Sequence, residues 1–210
     1  MIKILLSISI TLLFIFETQS QSRVPIEEYG KRDWPGGYID LDGEFHEGLL
    51  YIYPVLGQKL RFRENETDSP KKLRSKDILG FIIGEDEFHT LKNFPLVAVH
   101  GIKANFANGF GRMIALGKVE AFQVYKYEYN QITGEEEICE NLVLFKDDFK
   151  MAVPINRNRL KRGWKDNIKN NLKDFFDNDP HWNERIDLLI NKESGFVGIY
   201  DLVEEYNQRI

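Results

Sequence analysis

The stretch Gly37–Gly48 reads GYIDLDGEFHEG, and its centre decides how the chain begins to fold. Asp42-Gly43 lies between two runs that alternate apolar and polar residues, which is the strongest short-range signal for a β-hairpin. A three-residue loop over residues 42–44 places Asp40 opposite His46 and gives the hairpin one apolar and one polar face. A two-residue loop sets charged beside apolar side chains. The longer loop is favoured, because a slip of one residue turns every side chain to the other face.

The acidic residues and the histidine of this stretch are interpreted as the solvated face of the hairpin, since sheet faces toward water are normally polar. They lack the spacing of alternating acidic residues that arranges oxygen ligands around calcium. None of the four histidines of the chain lies at His-x-His or His-x-x-x-His spacing. The sequence therefore predicts no metal site and no cofactor.

Short strand-like runs alternate with turn signals from Tyr38 to Pro154, which indicates an antiparallel sheet or a partial barrel. Within this region Lys103–Gly111 (KANFANGFG) is predicted to be a flexible loop, because it contains two glycines. The single cysteine, Cys139, cannot form an internal disulfide and is predicted to be buried in a strand as a small hydrophobe.

The apolar period changes to that of an amphipathic helix from Trp164 onward. Asp179-Pro180 predicts the start of a second helix, as its N-cap and first-turn proline. A last helix carries Leu202, Val203 and Tyr206 on one face. The predicted fold class is therefore α+β, an antiparallel β-sheet or partial barrel followed by a small C-terminal three-helix segment.

The first residues indicate export. A basic start is followed by the uncharged apolar run Ile4–Phe16, and Thr18 and Ser20 are small residues at the spacing a signal peptidase requires. A retained anchor is the alternative, but about 20 apolar residues are needed to span a bilayer. We divide the chain into a signal peptide (1–20), a linker (21–36), an antiparallel β domain (37–154) and a C-terminal helical segment (155–210). The expected location is periplasmic, outer-membrane-associated or secreted, with no transmembrane segment after cleavage.

Six residues are candidates for a binding role, each with a structural alternative. His100 lies on an apolar strand and is either a buried functional imidazole or a core histidine with one backbone partner. A basic run with one tryptophan is either a binding patch for anionic groups or a solvated helix face. Two tyrosines belong to an exposed aromatic patch or to hairpin packing. The six are His100, Tyr125, Tyr127, Arg159, Arg162 and Trp164.

Two stretches resemble a group of exported β-rich proteins with a C-terminal helical segment from Bacteroidetes-type bacteria. The first is GYIDLDGEFHEGLL at Gly37–Leu50, followed by RFRE and by KDILGF at Lys76–Phe81. The second is LKDFFDNDPHWNERI…DLVEEYN within Leu172–Asn207. The resemblance implies export and strands that precede helices. It transfers no site, because the group carries no assigned activity.

The net charge of −5 is that of an ordinary soluble protein, and an exported acidic chain is not expected to bind nucleic acid. The sequence contains no nucleophile elbow, P-loop or dinucleotide fingerprint, so no catalytic residue can be named. We therefore expect a non-enzymatic envelope or secreted module that binds a protein, glycan or lipid surface. The alternative is a periplasmic or secreted hydrolase with a site near His100. A concave pocket with carboxylates would favour the hydrolase, and an exposed patch on a sheet would favour binding.

Overall fold

The computed structural model describes residues 23–52, 59–97, 103–129, 134, 136–155, 163–190 and 196–209. A ten-stranded antiparallel sheet precedes three α-helices, which confirms the α+β fold class. The strands are β1 (Trp34–Ile39), β2 (Phe45–Ile52), β3 (Lys59–Arg63), β4 (Lys71–Arg74), β5 (Gly80–Ile83), β6 (Asp86–Val97), β7 (Lys103–Ala115), β8 (Glu120–Tyr129), β9 (Glu136–Lys146) and β10 (Phe149–Pro154). The helices are α1 (Trp164–Phe175), α2 (Pro180–Leu189) and α3 (Ile199–Gln208).

The strand order is β10-β9-β8-β7-β6-β5-β1-β2-β3-β4, and the β6–β10 half of the sheet curls on itself. The Asn141 side chain of β9 hydrogen-bonds both backbone groups of Val97 in β6, at 3.0 and 3.3 Å. Lys150 of β10 donates to the carbonyls of Lys92 and Asn93 at 3.2 Å. Side chains therefore hold the ends of this half together in a partial barrel.

Three apolar clusters are formed by the residues that the structure describes. The first lies inside the curl of β6–β10, around Phe94 and Phe122. The second lies between the outer face of β8–β10 and the three helices, around Leu142 and Phe176. The third lies under one face of β1–β5 and includes Tyr29. Strands β8–β10 are thus covered on both faces, whereas the clusters cover β1–β5 on one.

The first hairpin has a three-residue loop as predicted, but the loop lies one residue earlier, over residues 41–43. Asp40 N–H donates to the Glu44 carbonyl at 3.0 Å, and Gly43 takes the left-handed conformation with φ of 86°. Tyr38, not Asp40, is therefore opposite His46. Glycine suits this loop position, because a positive φ carries no steric cost without a Cβ.

Two further expectations need correction. Lys103–Gly111 is not a loop but part of β7, because its glycines lie beneath side chains of other elements. A Cβ on Gly109 would stand 2.7 Å from Cζ of Phe94, so the missing side chain makes room for that ring. The region interpreted as a linker contains a short 3₁₀ helix, Ile26–Gly30, and the first strand already begins at Trp34. The burial of apolar side chains orders this region, since Ile26 and Tyr29 both lie in the core.

The helix signals are confirmed. The Asp179 carboxylate accepts hydrogen bonds from the backbone N–H groups of His181 and Trp182 at 2.8 and 3.4 Å, with Pro180 at the first helical position. The apolar stripe predicted for the last helix is buried in α3. No helix within the described part of the chain is long and apolar enough to cross a bilayer.

Candidate binding surface

Of the six candidate residues, the structure describes the side chain of one. His100, Arg159 and Arg162 lie outside the described residues. Trp164 begins α1 and Tyr127 lies in β8, but the description does not extend to their side chains. The binding roles considered for these five residues therefore stay predictions.

Tyr125, the sixth candidate, belongs to a buried polar network, not to a surface patch. Its hydroxyl is hydrogen-bonded to Arg112 of β7, whose side chain is 3% exposed. Arg112 in turn donates to the Asp86 carboxylate and, at 3.1 Å, to the Val24 carbonyl. Tyr29 donates to the same carboxylate. Burial raises the pKa of the Tyr125 phenol to about 12, although the guanidinium opposes that rise.

A second polar group continues the network toward the helices. The hydroxyl of Tyr200 in α3 donates to Oε1 of Glu140 at 2.9 Å, and the Gln123 amide donates to the same oxygen. Burial raises the pKa of the Tyr200 phenol well above its ordinary value, with the Glu140 charge adding to the effect. These contacts fix α3 against the sheet, as those of Asp86 fix the 3₁₀ helix. The network is therefore explained by its role in assembling the fold.

The acidic hairpin that opens the sequence is a structured turn. Asp40, Glu44 and His46 offer ligand atoms within 4.8 Å of one another. However, Oδ1 of Asp40 already accepts hydrogen bonds from the backbone N–H groups of Asp42 and Glu44, and Oδ2 lies 2.8 Å from Nε2 of His46. The hydrogen bond from His46 holds the pKa of the Asp40 carboxyl below its usual value. The cluster stabilises the loop, and its geometry alone does not identify a metal site.

A concave pocket with carboxylates would favour the alternative, a hydrolase, and a shallow cavity of about 580 Å³ lies beside α2. His181 lines it with two carboxylates, each of which has a structural partner. Asp179 caps α2, and Asp177 pairs with the buried Lys146 ammonium at 2.5 Å. Arg209 donates to Nε2 of His181. These groups are held by the protein, so the cavity offers no free acid–base pair.

The unexpected feature is the sheet face opposite the Tyr29 core, which we call the outer face. On β1, β2 and β5 it carries Ile39, Phe45, Leu49 and Ile82, and Leu41 stands at the hairpin tip. Leu41 is 59%, Phe45 51% and Ile82 36% exposed. The register places Ile39 opposite Phe45, and Ile82 opposite Gly37. These apolar groups are therefore neighbours on one surface, a feature that marks interaction sites.

Two glycines lie at the centre of the outer face. Gly37 is paired with Ile82, and the Phe45 ring lies over it, since a Cβ there would be 2.4 Å from Cζ of Phe45. Gly80 occupies the adjacent site across from Ile39. Glycine in a strand interior often marks a close approach by another chain or ring. Here both glycines are buried, and Gly37 lies beneath the Phe45 ring of the same chain.

Charged side chains lie among and beside the apolar groups of the outer face. Glu47 is opposite Gly37 and is exposed, and Glu87 of β6 is opposite Ile82. Arg61 of β3 and Lys72 of β4 are paired directly opposite each other toward the edge of the sheet. Arg61 also lies over the ring of Tyr51, 5.8 Å from its centroid. The face thus carries acidic side chains among its apolar groups and basic side chains on β3 and β4.

Sequence reasoning assigned the hairpin faces the wrong way round. Asp40 and His46 were expected on the solvated face, yet His46 stacks on Tyr38 at 4.6 Å, on the side of the core. The apolar residues at odd positions point outward instead.

Comparisons with protein-family models, with curated proteins and with solved structures found no match.

Proposed function

We propose that this chain is an exported, non-enzymatic binding module that docks a partner on the outer face of β1, β2 and β5. The observation that carries the proposal is the apolar surface formed by the exposed Leu41, Phe45 and Ile82 together with the half-buried Ile39. Water-facing positions of an antiparallel sheet are normally polar. Leaving these side chains in water costs free energy, which a partner that covers them recovers.

The composition of the surface narrows the kind of partner. Its central groups are aliphatic and phenyl side chains, which gain from contact with other apolar groups. A glycan site, by contrast, needs several hydrogen-bonding groups that converge on hydroxyls. Glu47 projects from the middle of the face, where it would repel an anionic lipid surface. These features favour a protein partner.

Export is part of the proposal, and the pattern of residues 1–20 supports it. The resemblance to exported proteins of Bacteroidetes-type bacteria supports the same location. The expected mature chain begins at Gln21. Mass spectrometry of protein recovered from outside the cytoplasm tests this point, and an intact N-terminus in that fraction would contradict cleavage.

Photo-crosslinking tests the docking surface. A benzophenone amino acid is placed at Phe45 in the exporting cell, and the matched control places it at Leu116, which is 54% exposed in the turn between β7 and β8. We expect a discrete, light-dependent adduct from position 45 and none from position 116. No adduct from position 45, or equal adducts from both positions, would refute a docking role for the outer face.

A further inference from the structure

We infer that the protein partner of the outer face presents an acidic segment to strands β3 and β4, with its carboxylates over the basic residues of those strands. The inference rests on the proposed docking role of the outer face and adds the chemistry of the partner. It follows from the composition and register of β3 and β4. Six of their nine residues are lysine or arginine, and none is acidic.

The two strands hold like charges directly opposite each other. Leu60 and Leu73 are paired and buried in the core, so alternation places their neighbours Arg61 and Lys72 on the outer face. Arg61 and Lys72 are also paired, and both are exposed. The Cβ atoms of such a pair lie about 5 Å apart, and like charges at this spacing are destabilising. An anionic group bound between the two side chains would turn this repulsion into attraction.

Protection of the sheet edge explains only part of this charge. Basic residues on β4 oppose the addition of another strand, because β4 is the last strand of the sheet. Strand β3 is not an edge, since it lies between β2 and β4. Arg63 pairs with Asp33, and Nε of Arg74 lies 3.4 Å from Oδ2 of Asp77. The Arg61–Lys72 pair lies between these two ion pairs, so edge protection does not account for the charge on β3.

The spacing of the basic positions matches an extended acidic segment. Lys59 lies opposite Arg74 in the register, the next row on the same face is the Arg61–Lys72 pair, and Arg63 follows. Successive rows are two residues apart, which is about 7 Å along a strand. Alternate side chains of an extended segment have the same spacing, so each row can meet one Asp or Glu. A guanidinium binds a carboxylate with two parallel hydrogen bonds, and charge strengthens them.

The acidic residues of the outer face give the partner its orientation. Glu47 lies opposite Gly37, and Glu87 lies opposite Ile82, so both carboxylates stand among the apolar groups of β1, β2 and β5. They repel an acidic segment from that region and direct it to β3 and β4. Neighbouring strands are about 4.8 Å apart, so β4 lies only about 10 Å from β2. One partner can therefore cover the apolar groups and place its acidic segment on the basic rows.

Fluorescence anisotropy tests the inference with a fluorescein-labelled synthetic peptide in which glutamates alternate with serines. The mature chain is compared with Arg61→Gln combined with Lys72→Gln. The matched control, Lys118→Gln with Arg209→Gln, also removes one exposed lysine and one exposed arginine, but beside α2. We expect the dissociation constant to rise about fivefold or more in the first variant and to stay within about twofold in the control. A peptide with glutamine in place of glutamate should not bind, and circular dichroism melting curves check that each variant is folded.

The outcomes separate this inference from the proposed function. No binding of the glutamate peptide, or equal binding by the wild-type chain and the Arg61–Lys72 variant, overturns the acidic segment. Tighter binding of polygalacturonate, a carboxylate-bearing glycan, assigns the basic rows to a glycan and overturns it as well. Photo-crosslinking from position 45 tests the docking surface independently. An adduct that the Arg61–Lys72 variant leaves undiminished retains the docking surface and refutes the acidic segment, whereas loss of the adduct in that variant alone supports both.

Discussion

Removal of Asp86 tests whether the buried network holds the 3₁₀ helix Ile26–Gly30 against β6 and β7. The Asp86 side chain is 12% and that of Arg112 3% exposed, so the ion pair lies in the interior. The carboxylate accepts from both Arg112 and the Tyr29 hydroxyl. Asp86→Ala leaves the guanidinium buried without its counter-charge, a change that costs about 3–5 kcal/mol in comparable sites. The unpaired hydroxyl adds to this cost, since a buried donor without an acceptor loses about 1 kcal/mol or more.

Urea unfolding followed by tryptophan fluorescence measures the effect. With a slope of about 2 kcal/mol per molar urea, the midpoint should fall by about 1.5–2.5 M. Glu28→Ala is the matched control, because it breaks the exposed pair with Lys31 at 2.6 Å and should cost less than about 1 kcal/mol. The double variant Asp86→Leu with Arg112→Met should recover much of the loss, since apolar groups then replace both charges. A cost below about 1 kcal/mol for Asp86→Ala would refute the reasoning.

Three further changes test local features. Asp179→Ala removes the cap of α2 and should lower the free energy of unfolding by about 1 kcal/mol in the same urea assay; an unchanged midpoint would contradict the capping role. His46→Phe removes the hydrogen bond that lowers the pKa of the Asp40 carboxyl, so NMR titration should show that pKa returning toward its usual value. Tyr125 should ionise near pH 12 when followed by ultraviolet absorbance. The free energy of unfolding should fall between pH 10 and 12, because the phenol ionises near pH 10 in the unfolded chain but keeps its proton in the folded one. Tyr125→Phe should flatten that fall, and ionisation near pH 10 would argue against burial.

Local signals were sufficient where neighbouring residues determine the structure. Asp179-Pro180 caps α2, and Gly43 closes a three-residue hairpin loop, because each signal acts within a few residues. The placement of Gly109 depends instead on Phe94, which reaches it from β6. A glycine-rich run has the sequence pattern of a loop even when it forms a strand, because the ring that packs over its glycines belongs to a different strand and is not visible in the local sequence. The error over Lys103–Gly111 follows from that long-range contact.

The candidate surface was missed for a related reason. Alternation in the hairpin separates Tyr38, Asp40 and His46 from Ile39 and Phe45, and this separation is correct. It does not say which set the rest of the chain will cover. The 3₁₀ helix and β3–β5 build their core against Tyr38, so the more polar set lies at the rim of the core. The more apolar set is left outside, a result that only the tertiary arrangement decides.

The two halves of the sheet explain why a partner should approach through the face and not the edge. Strands covered on both faces have apolar residues on both, as in β8–β10, where one cluster lies inside the curl and another lies under the helices. Strands β1 and β2 share that composition, with Leu50 and Ile52 inward and Phe45 outward, yet the intramolecular clusters use only the inward set. The edge strand β4 carries Lys71, Lys72 and Arg74, and charged edge residues oppose strand addition. Lateral growth of the sheet is therefore disfavoured, and a partner that covers the outer face would give β1 and β2 the two-sided burial that β8–β10 obtain within one chain.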